Sequence, residues 1–245
     1  MFRLDEVVPW GRSFDEYRRM FALDERGREL RILGCGDGPA AFNAEATRRG
    51  WQVISCDPIY RFDGDALRAR IIATRDEVLR QTRDNAGQFV WHTIRSIEEL
   101  ARVRQAAMDA FLADYGEGRA AGRYREAALP RLPFADGSFD LALCSHLLFL
   151  YSGQLDLAFH LAAVRELYRV AGELRIFPLL DLDGRPSPWL QPLSDALAGD
   201  GFAVSIETVP YEFQRGANRM MRILPGTAAG RRRDTSPRGG RTSSL

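Results

Sequence analysis

Short apolar runs that end at polar turns recur along this chain, with amphipathic stretches between them. Residues 30–33 and 51–56 form two such runs, and each has the length of a strand buried on both faces. Between them, residues 39–50 begin with proline and end with glycine, which are favoured at the first turn of a helix and just beyond its last turn. The order strand, helix, strand predicts a parallel βαβ unit.

The second half of the chain continues this alternation. Its apolar runs predict four further strands, at residues 141–145, 173–177, 202–209 and 220–224. An amphipathic helix is predicted over residues 156–171, ended by Gly172. The short link at residues 211–218 suits a hairpin, so the last two strands are predicted to be antiparallel.

Residues 61–124 separate the second predicted strand from the third by far more than a parallel crossover requires. Helical spacing of apolar residues predicts two helices here, the second of which begins at Ser96 with Glu99 in a capping-box pattern. We expect this helical insertion to cover the ligand side of the sheet and to set specificity. A structural brace or a dimer interface is the alternative.

A glycine-rich turn lies between the first strand and the first helix of the βαβ unit. Gly34, Gly36 and Gly38 would let the chain turn sharply and let a ligand approach the backbone. The helix start that follows offers free N–H groups. Asp57 ends the second strand 23 positions after Gly34, where an acid can accept both hydroxyls of a ribose. Together these features predict a nucleotide-type ligand, whereas the glycines alone would also suit an ordinary turn.

The stretch G-C-G-D-G-P at residues 34–39 resembles motif I of the class I S-adenosylmethionine (SAM) dependent methyltransferases. A dinucleotide-binding fingerprint would have a third small residue in place of Pro39, which disfavours a nicotinamide-dependent oxidoreductase. Residues 132–140, L-P-F-A-D-G-S-F-D, resemble the segment that leads into the fourth strand of the same family. The resemblance covers residues 30–58 and 129–224. It implies an α/β fold with a doubly wound, Rossmann-like, seven-stranded sheet, its last strand antiparallel, and a helical insertion between the second and third strands.

The resemblance also implies a set of site residues. The expected SAM-binding residues are Gly34, Cys35, Gly36, Asp37, Gly38, Asp57, Pro58 and Ser145. His146 comes at the end of a central strand, where ligands bind in open α/β sheets, so it could be a catalytic general base or only line the site. The expected substrate-side residues are Tyr60, Tyr151 and Trp10.

A capping-box pattern of Ser13 and Glu16 predicts a helix before the first strand. In the family that this chain resembles, such a leading helix can border the cofactor mouth. Trp10 and Arg12 precede it and could contact a substrate, although a packed tryptophan and a solvated arginine are the simpler interpretation.

Two positions depart from the family pattern. An acid usually lies two residues before the first glycine of motif I, where this chain has Ile32, and another ends the third strand, where alignment places Ala128. Asp37 could take over one of these contacts. The expected function is SAM-dependent methyl transfer to an unidentified small molecule, and the alternative is a non-catalytic SAM-binding, nucleotide-binding or scaffold protein. The G-D-G-P-x-x-F-N signature is most similar to that of an uncharacterised bacterial branch of the superfamily.

The three cysteines, Cys35, Cys56 and Cys144, form no C-x-x-C pair and are predicted to be buried thiols rather than metal ligands or a redox pair. Free thiols suit the reducing cytoplasm. No apolar run reaches the ~18 residues needed to span a bilayer. Residues 1–10 lack the apolar core of a secretory signal. We therefore expect a cytoplasmic protein with no metal and no membrane partner.

Residues 225–245 contain five arginines and one aspartate and are predicted to be a disordered basic tail beyond a single domain at residues 1–224. The total formal charge of +1 leaves −3 on that domain, which disfavours a nucleic-acid-binding surface. The tail could bind an acidic partner, but a solvated tail is the simpler interpretation. Nothing in the sequence indicates an oligomeric state.

Overall fold

Five neighbouring strands of one mixed sheet are parallel to one another. The computed structural model describes residues 10–226. Within this range the strands are β1 Arg31–Cys35, β2 Gln52–Cys56, β3 Tyr124–Arg125, β4 Phe139–Ser145, β5 Ala171–Phe177, β6 Phe202–Thr208 and β7 Arg219–Pro225. Their order is β3-β2-β1-β4-β5-β7-β6, with β7 antiparallel to both of its neighbours. The predicted seven-stranded, doubly wound sheet is confirmed.

Helices flank this sheet on both sides. Those of seven residues or more in the described range are α1 Phe14–Met20, α2 Phe42–Arg48, α3 Gly64–Asp84, α4 Ile97–Ala120, α5 Leu157–Val170 and α6 Leu190–Gly199. Helix α1 starts at the predicted capping box, because the Ser13 hydroxyl accepts from the Glu16 amide and the Glu16 carboxylate accepts from the Ser13 amide at 2.9 Å. Helices α3 and α4 form the predicted insertion between β2 and β3.

Alternate residues of each central strand face opposite sides of the sheet. Ile32 of β1 packs with residues of α1 and α2, whereas the adjacent Leu33 packs with residues of α5 and α6. Both side chains are fully buried, which explains why these strands are unbroken apolar runs in the sequence. The insertion lies outside this arrangement, with α4 against α2 and β3 and with α3 against α4.

Two local predictions were wrong. Helix α5 ends at Val170 and β5 begins at once, so Gly172 lies inside a strand rather than beyond a helix. A Cβ at Gly172 would come within 3.3 Å of the Asp140 carbonyl oxygen, and this close strand contact explains the glycine. The third strand has only two residues, so Ala128 lies beyond its end, in an isolated bridge with Arg131.

Strand β7 extends to Pro225, which is the first residue of the predicted tail. Residues 1–9 and residues 227–245, which make up nearly all of that tail, lie outside the described part of the chain. Between residues 10 and 226, none of the helices combines the length and the apolar character needed to cross a membrane.

Candidate active site

The turn between β1 and α2 requires glycine at two positions. Gly36 and Gly38 have φ angles of 72° and 54°, in the left-handed region that other residues rarely adopt. The Gly36 amide donates to the Cys56 carbonyl at 3.0 Å, which joins the turn to the end of β2. A Cβ at Gly38 would meet no atom within 4 Å, so the turn presents open backbone there.

Glycine is required at position 34 for a different reason, because its lack of a side chain leaves space for the Asp37 carboxylate. A Cβ at Gly34 would overlap the Asp37 carboxylate, which folds back over the strand. That carboxylate accepts hydrogen bonds from the Tyr17 hydroxyl at 2.9 Å and from Ser55 Oγ at 2.6 Å. Burial outweighs these bonds and raises the pKa of Asp37 to about 7, so this carboxyl group changes charge near neutrality.

A buried polar network supports Asp37 from below the turn. Asn43 is 1% exposed, and its Nδ2 donates to Ser55 Oγ at 3.2 Å and to the Arg123 carbonyl at 3.1 Å. Its Oδ1 accepts from the Arg123 guanidinium at 2.8 Å. Asn43 thereby orients the Ser55 hydroxyl that donates to Asp37. The aspartate and asparagine of the G-D-G-P-x-x-F-N signature therefore belong to one structural unit.

Asp57 is bonded directly to the glycine turn, although the two are 19 positions apart. Its Oδ2 accepts from the Gly38 amide at 2.9 Å and its Oδ1 accepts from the Ile59 amide at 2.9 Å. The residue is 8% exposed, and burial raises the pKa of the carboxyl group despite these two bonds. Because the Gly38 amide is already occupied by Asp57, a ligand would meet the combined surface of turn and acid.

A large cleft lies at the carboxyl ends of β1, β2 and β4. Its empty volume is about 1260 Å³, including the part that is open to solvent, which is ample for a small-molecule site. The predicted site residues that line this cleft are Trp10, Gly36, Asp37, Gly38, Asp57, Ser145, His146 and Tyr151. The predicted site residues that do not line it are Gly34, Cys35, Pro58 and Tyr60.

Two of the residues away from the cleft support its floor. Tyr60 is fully buried, and its hydroxyl donates to the Gly38 carbonyl at 2.8 Å, which holds the turn from below. Cys35 is buried in β1 beside Cys56 and Cys144, its partners on the neighbouring strands. In the described range, no group of three or more His, Cys, Asp or Glu side chains is placed to hold a metal ion.

His146 occupies an unusual backbone position at the end of β4. Its φ angle is 51°, and its amide donates to the Phe177 carbonyl at 2.7 Å. The ring Nδ1 lies 2.9 Å from Ser145 Oγ. Burial, followed by the positive charges of Arg12 and Arg104, lowers the pKa of His146 well below its ordinary value. The imidazole is therefore neutral at physiological pH.

A buried ion pair in the cleft wall joins distant parts of the chain. The Arg104 NH1 group, on α4, donates to both Glu16 carboxylate oxygens at 2.7 and 2.6 Å, and the Tyr211 hydroxyl donates to Glu16 Oε1 at 3.0 Å. Arg104 is not among the residues predicted for the site, because an arginine on an amphipathic helix usually faces solvent. Its spacing was a usable signal, since position 104 shares a helix face with Leu100 and Ala107.

The two departures from the family pattern do not lie in the cleft. Ile32 is fully buried in the core. Ala128 follows the short third strand. The acids that line the cleft are Asp37 and Asp57.

The fold is similar to those of several solved structures. A TehB-like SAM-dependent methyltransferase from Corynebacterium glutamicum is 15% identical, with coverage of 86% of this chain and 87% of that chain and a TM-score of 0.45. Magnesium protoporphyrin IX methyltransferase from Synechocystis, solved with bound SAM, is 11% identical, with coverage of 87% and 91% and a TM-score of 0.44.

Comparison of the sequence with known families and proteins identifies the family of this chain. A family model described as a methyltransferase domain matches residues 32–173, which is more than half of the chain. An uncharacterised protein of Methanocaldococcus jannaschii is 31% identical over 221 residues, which cover 90% of this chain and 97% of that protein. The matched residues include the glycine turn, Asp57 and His146 described above. The chain belongs to the methyltransferase domain family.

Proposed function

We propose that this protein is a SAM-dependent methyltransferase that acts on a small molecule. The observation that carries the proposal is the 2.9 Å hydrogen bond between the Gly38 amide and Asp57, because it brings the glycine turn and the acid to the same point of the cleft. An acid at the end of the second strand can accept hydrogen bonds from ribose hydroxyls. The turn and the acid together suit an adenosyl ligand.

The polar groups of the cleft fit the chemical parts of SAM. Asp57 would hold the ribose, and the open backbone at Gly38 would accommodate the methionine part. Asp37 would pair with the ammonium group, which would in turn favour the ionised form of its carboxyl group. When bound, SAM supplies a methyl group on a positively charged sulfur that a nucleophile can attack.

His146 would act on the acceptor as a neutral ring. If the ring carries its proton on Nδ1 and donates it to Ser145 Oγ, Nε2 is left to accept a proton or a hydrogen bond from the acceptor. Its lowered pKa makes it a weak base, so orientation of the acceptor would contribute more than proton removal.

The helical insertion would determine which acceptor enters. Its residues that line the cleft are Val78, Thr82, Gln88, Phe89, Leu100 and Arg104. They supply a largely apolar surface with one charged group, opposite in character to the acidic floor formed by Asp37 and Asp57. Because the insertion lines the cleft, a role in substrate specificity is favoured over a role as a structural brace away from the site.

A second candidate is a protein that binds SAM without turnover. Ile32 and Ala128 favour it, because neither supplies the acidic anchor that family members usually have at these positions. Both candidates require cofactor binding, so only a transfer assay separates them. Binding without transfer of a tritiated methyl group from SAM to any component of a low-molecular-mass cell extract would favour the second.

Isothermal titration calorimetry of the purified full-length chain with S-adenosylhomocysteine tests the shared requirement. We expect micromolar binding, and we expect Asp57→Asn to weaken it by roughly ten-fold or more, since charge-assisted hydrogen bonds are lost. Asp109→Asn, an exposed change on α4, is the matched control and should bind like the wild type. No heat and no thermal shift with the wild type would overturn the proposal.

A further inference from the structure

Two arginines that line the cleft have hydrogen-bond donors without partners. The Nε atoms of Arg12 and Arg104 are buried and make no hydrogen bond. In the described range, the third buried side-chain atom in this condition is His160 Nε2, which does not line the cleft. Because a buried donor without an acceptor is costly, two of them in one cleft indicate a ligand that supplies acceptors.

Within residues 10–226, the charges of the two arginines are not fully balanced by carboxylates. Arg104, which is 1% exposed, is paired with Glu16. Arg12 donates to the Trp10 carbonyl at 2.8 Å, and among residues 10–226 no carboxylate forms an ion pair with it. Burial and then the nearby Arg104 lower the pKa of Arg12, which remains charged at neutral pH. The described residues therefore leave this part of the cleft with one excess positive charge, which an anion would neutralise.

The surface next to these donors is aromatic. The Arg104 guanidinium carbon lies 6.0 Å from the centre of the Phe213 ring, and Phe213 stacks on Phe89 at 4.9 Å. The Phe177 and Tyr211 rings meet edge to face at 5.7 Å. All four rings line the cleft. Flat apolar walls of this kind favour a planar ring, which can stack or pack edge to face.

On the basis of the proposed function, we propose that the methyl acceptor is an aromatic carboxylate whose anionic group accepts hydrogen bonds from Arg12 and Arg104 while its ring lies against the aromatic wall. The cofactor also has a carboxylate that could use the same donors. The experiment must therefore separate an acceptor carboxylate from the methionine carboxylate.

Calorimetry on the full-length protein saturated with S-adenosylhomocysteine provides the first arm. The probes are benzoate, 4-hydroxybenzoate and indole-3-acetate, each compared with its uncharged amide. We expect at least one acid to bind at least ten-fold more tightly than its amide. Arg12→Gln should abolish that preference, because Arg12 supplies the unpaired charge. Arg102→Gln, an exposed change on the same helix as Arg104, should keep it.

The second arm tests whether the arginines bind the carboxylate of the acceptor or the methionine carboxylate of the cofactor. S-adenosylhomocysteine and 5′-methylthioadenosine, which lacks the amino-acid part, are titrated into the wild type and into Arg12→Gln. The inference expects both nucleosides to bind the variant within about three-fold of the wild type. A ten-fold loss for S-adenosylhomocysteine alone would assign the arginine to the cofactor and overturn the inference.

The remaining outcomes are also decisive. Equal binding of every acid and its amide to the wild type would overturn the inference while leaving the proposed function intact. A preference for the acid that persists in Arg12→Gln would do the same. Failure of S-adenosylhomocysteine to bind the wild type would overturn the proposed function, and the inference with it. Circular dichroism and the thermal midpoint of Arg12→Gln check that the variant is folded.

Discussion

Replacing Glu16 with glutamine removes a buried negative charge but keeps the side chain's shape and its capacity to form the capping box. The Glu16 and Arg104 side chains are 3% and 1% exposed, so the Arg104 charge would lose its partner in surroundings of low dielectric constant. Burial alone would raise the pKa of Glu16, but the charge and hydrogen bonds of Arg104 lower it from 4.5 to about 2. At about 1.36 kcal/mol per pKa unit, this difference corresponds to roughly 3 kcal/mol of unfolding free energy.

The sign of the pH dependence follows from the direction of that change. The pKa of Glu16 is lower in the folded state than in the unfolded chain, so the stabilisation is complete above about pH 4.5 and is lost as the pH falls towards about 2. Urea denaturation at pH 7 should therefore show Glu16→Gln to be less stable than the wild type by about 3 kcal/mol. The difference should shrink as the solution is acidified through this range.

Glu77→Gln on α3 is the matched control. Arg80 also lowers the pKa of Glu77 to about 2, but the Glu77 side chain is 51% exposed, so solvent and salt screen the interaction. We expect a much smaller loss for Glu77→Gln, and we expect high salt to remove it. Equal losses for the two variants, or a Glu16→Gln loss that does not change with pH, would refute the stabilising role of the buried pair.

Two further predictions concern the glycine turn. Because burial raises the pKa of Asp37 to about 7 in the folded state, the wild type should lose stability as the pH rises from about 4 to about 7. Asp37→Asn should not lose stability in this way as the pH rises, and thermal denaturation of both proteins across the pH range measures the difference. If the variant loses stability as the wild type does, groups other than Asp37 cause the pH dependence. Gly34→Ala should destabilise the protein far more than Gly38→Ala, because a Cβ at Gly34 overlaps the Asp37 carboxylate. A Cβ at Gly38 meets open space, so Gly38→Ala should cost only about 1–2 kcal/mol of unfolding free energy for its left-handed backbone. Urea denaturation of both variants measures the difference, and equal losses would contradict it.

The βαβ unit could be predicted from sequence because its signals are local. The apolar strands, the helix start and Asp57 all lie within residues 30–58, and their order is enough to place the acid and the turn at the same edge of the sheet. Along the rest of the chain, the same alternation predicts four more strands, and the resemblance to the methyltransferase family implies the seventh.

The features that could not be predicted depend on contacts that no local pattern encodes. The Glu16–Arg104 pair spans 88 positions. The glycine pattern predicts that a ligand approaches Gly34, whereas in the structure the Asp37 side chain returns onto its own strand and fills that space. The third strand has only two residues, which are too few to give a recognisable pattern of apolar and polar positions.

The hydrogen bond from Tyr211 to Glu16 connects positions 195 residues apart, and Arg104 reaches the same carboxylate from the middle of the chain. On the ribosome, the leading helix therefore emerges long before the hairpin that completes its polar contacts. Synthesis proceeds from the N-terminus, and domains generally fold as units, so this wall of the cleft can close only after most of the polypeptide has been made. A nascent chain that stalls after the insertion would carry the glycine turn and the acid without a finished binding surface.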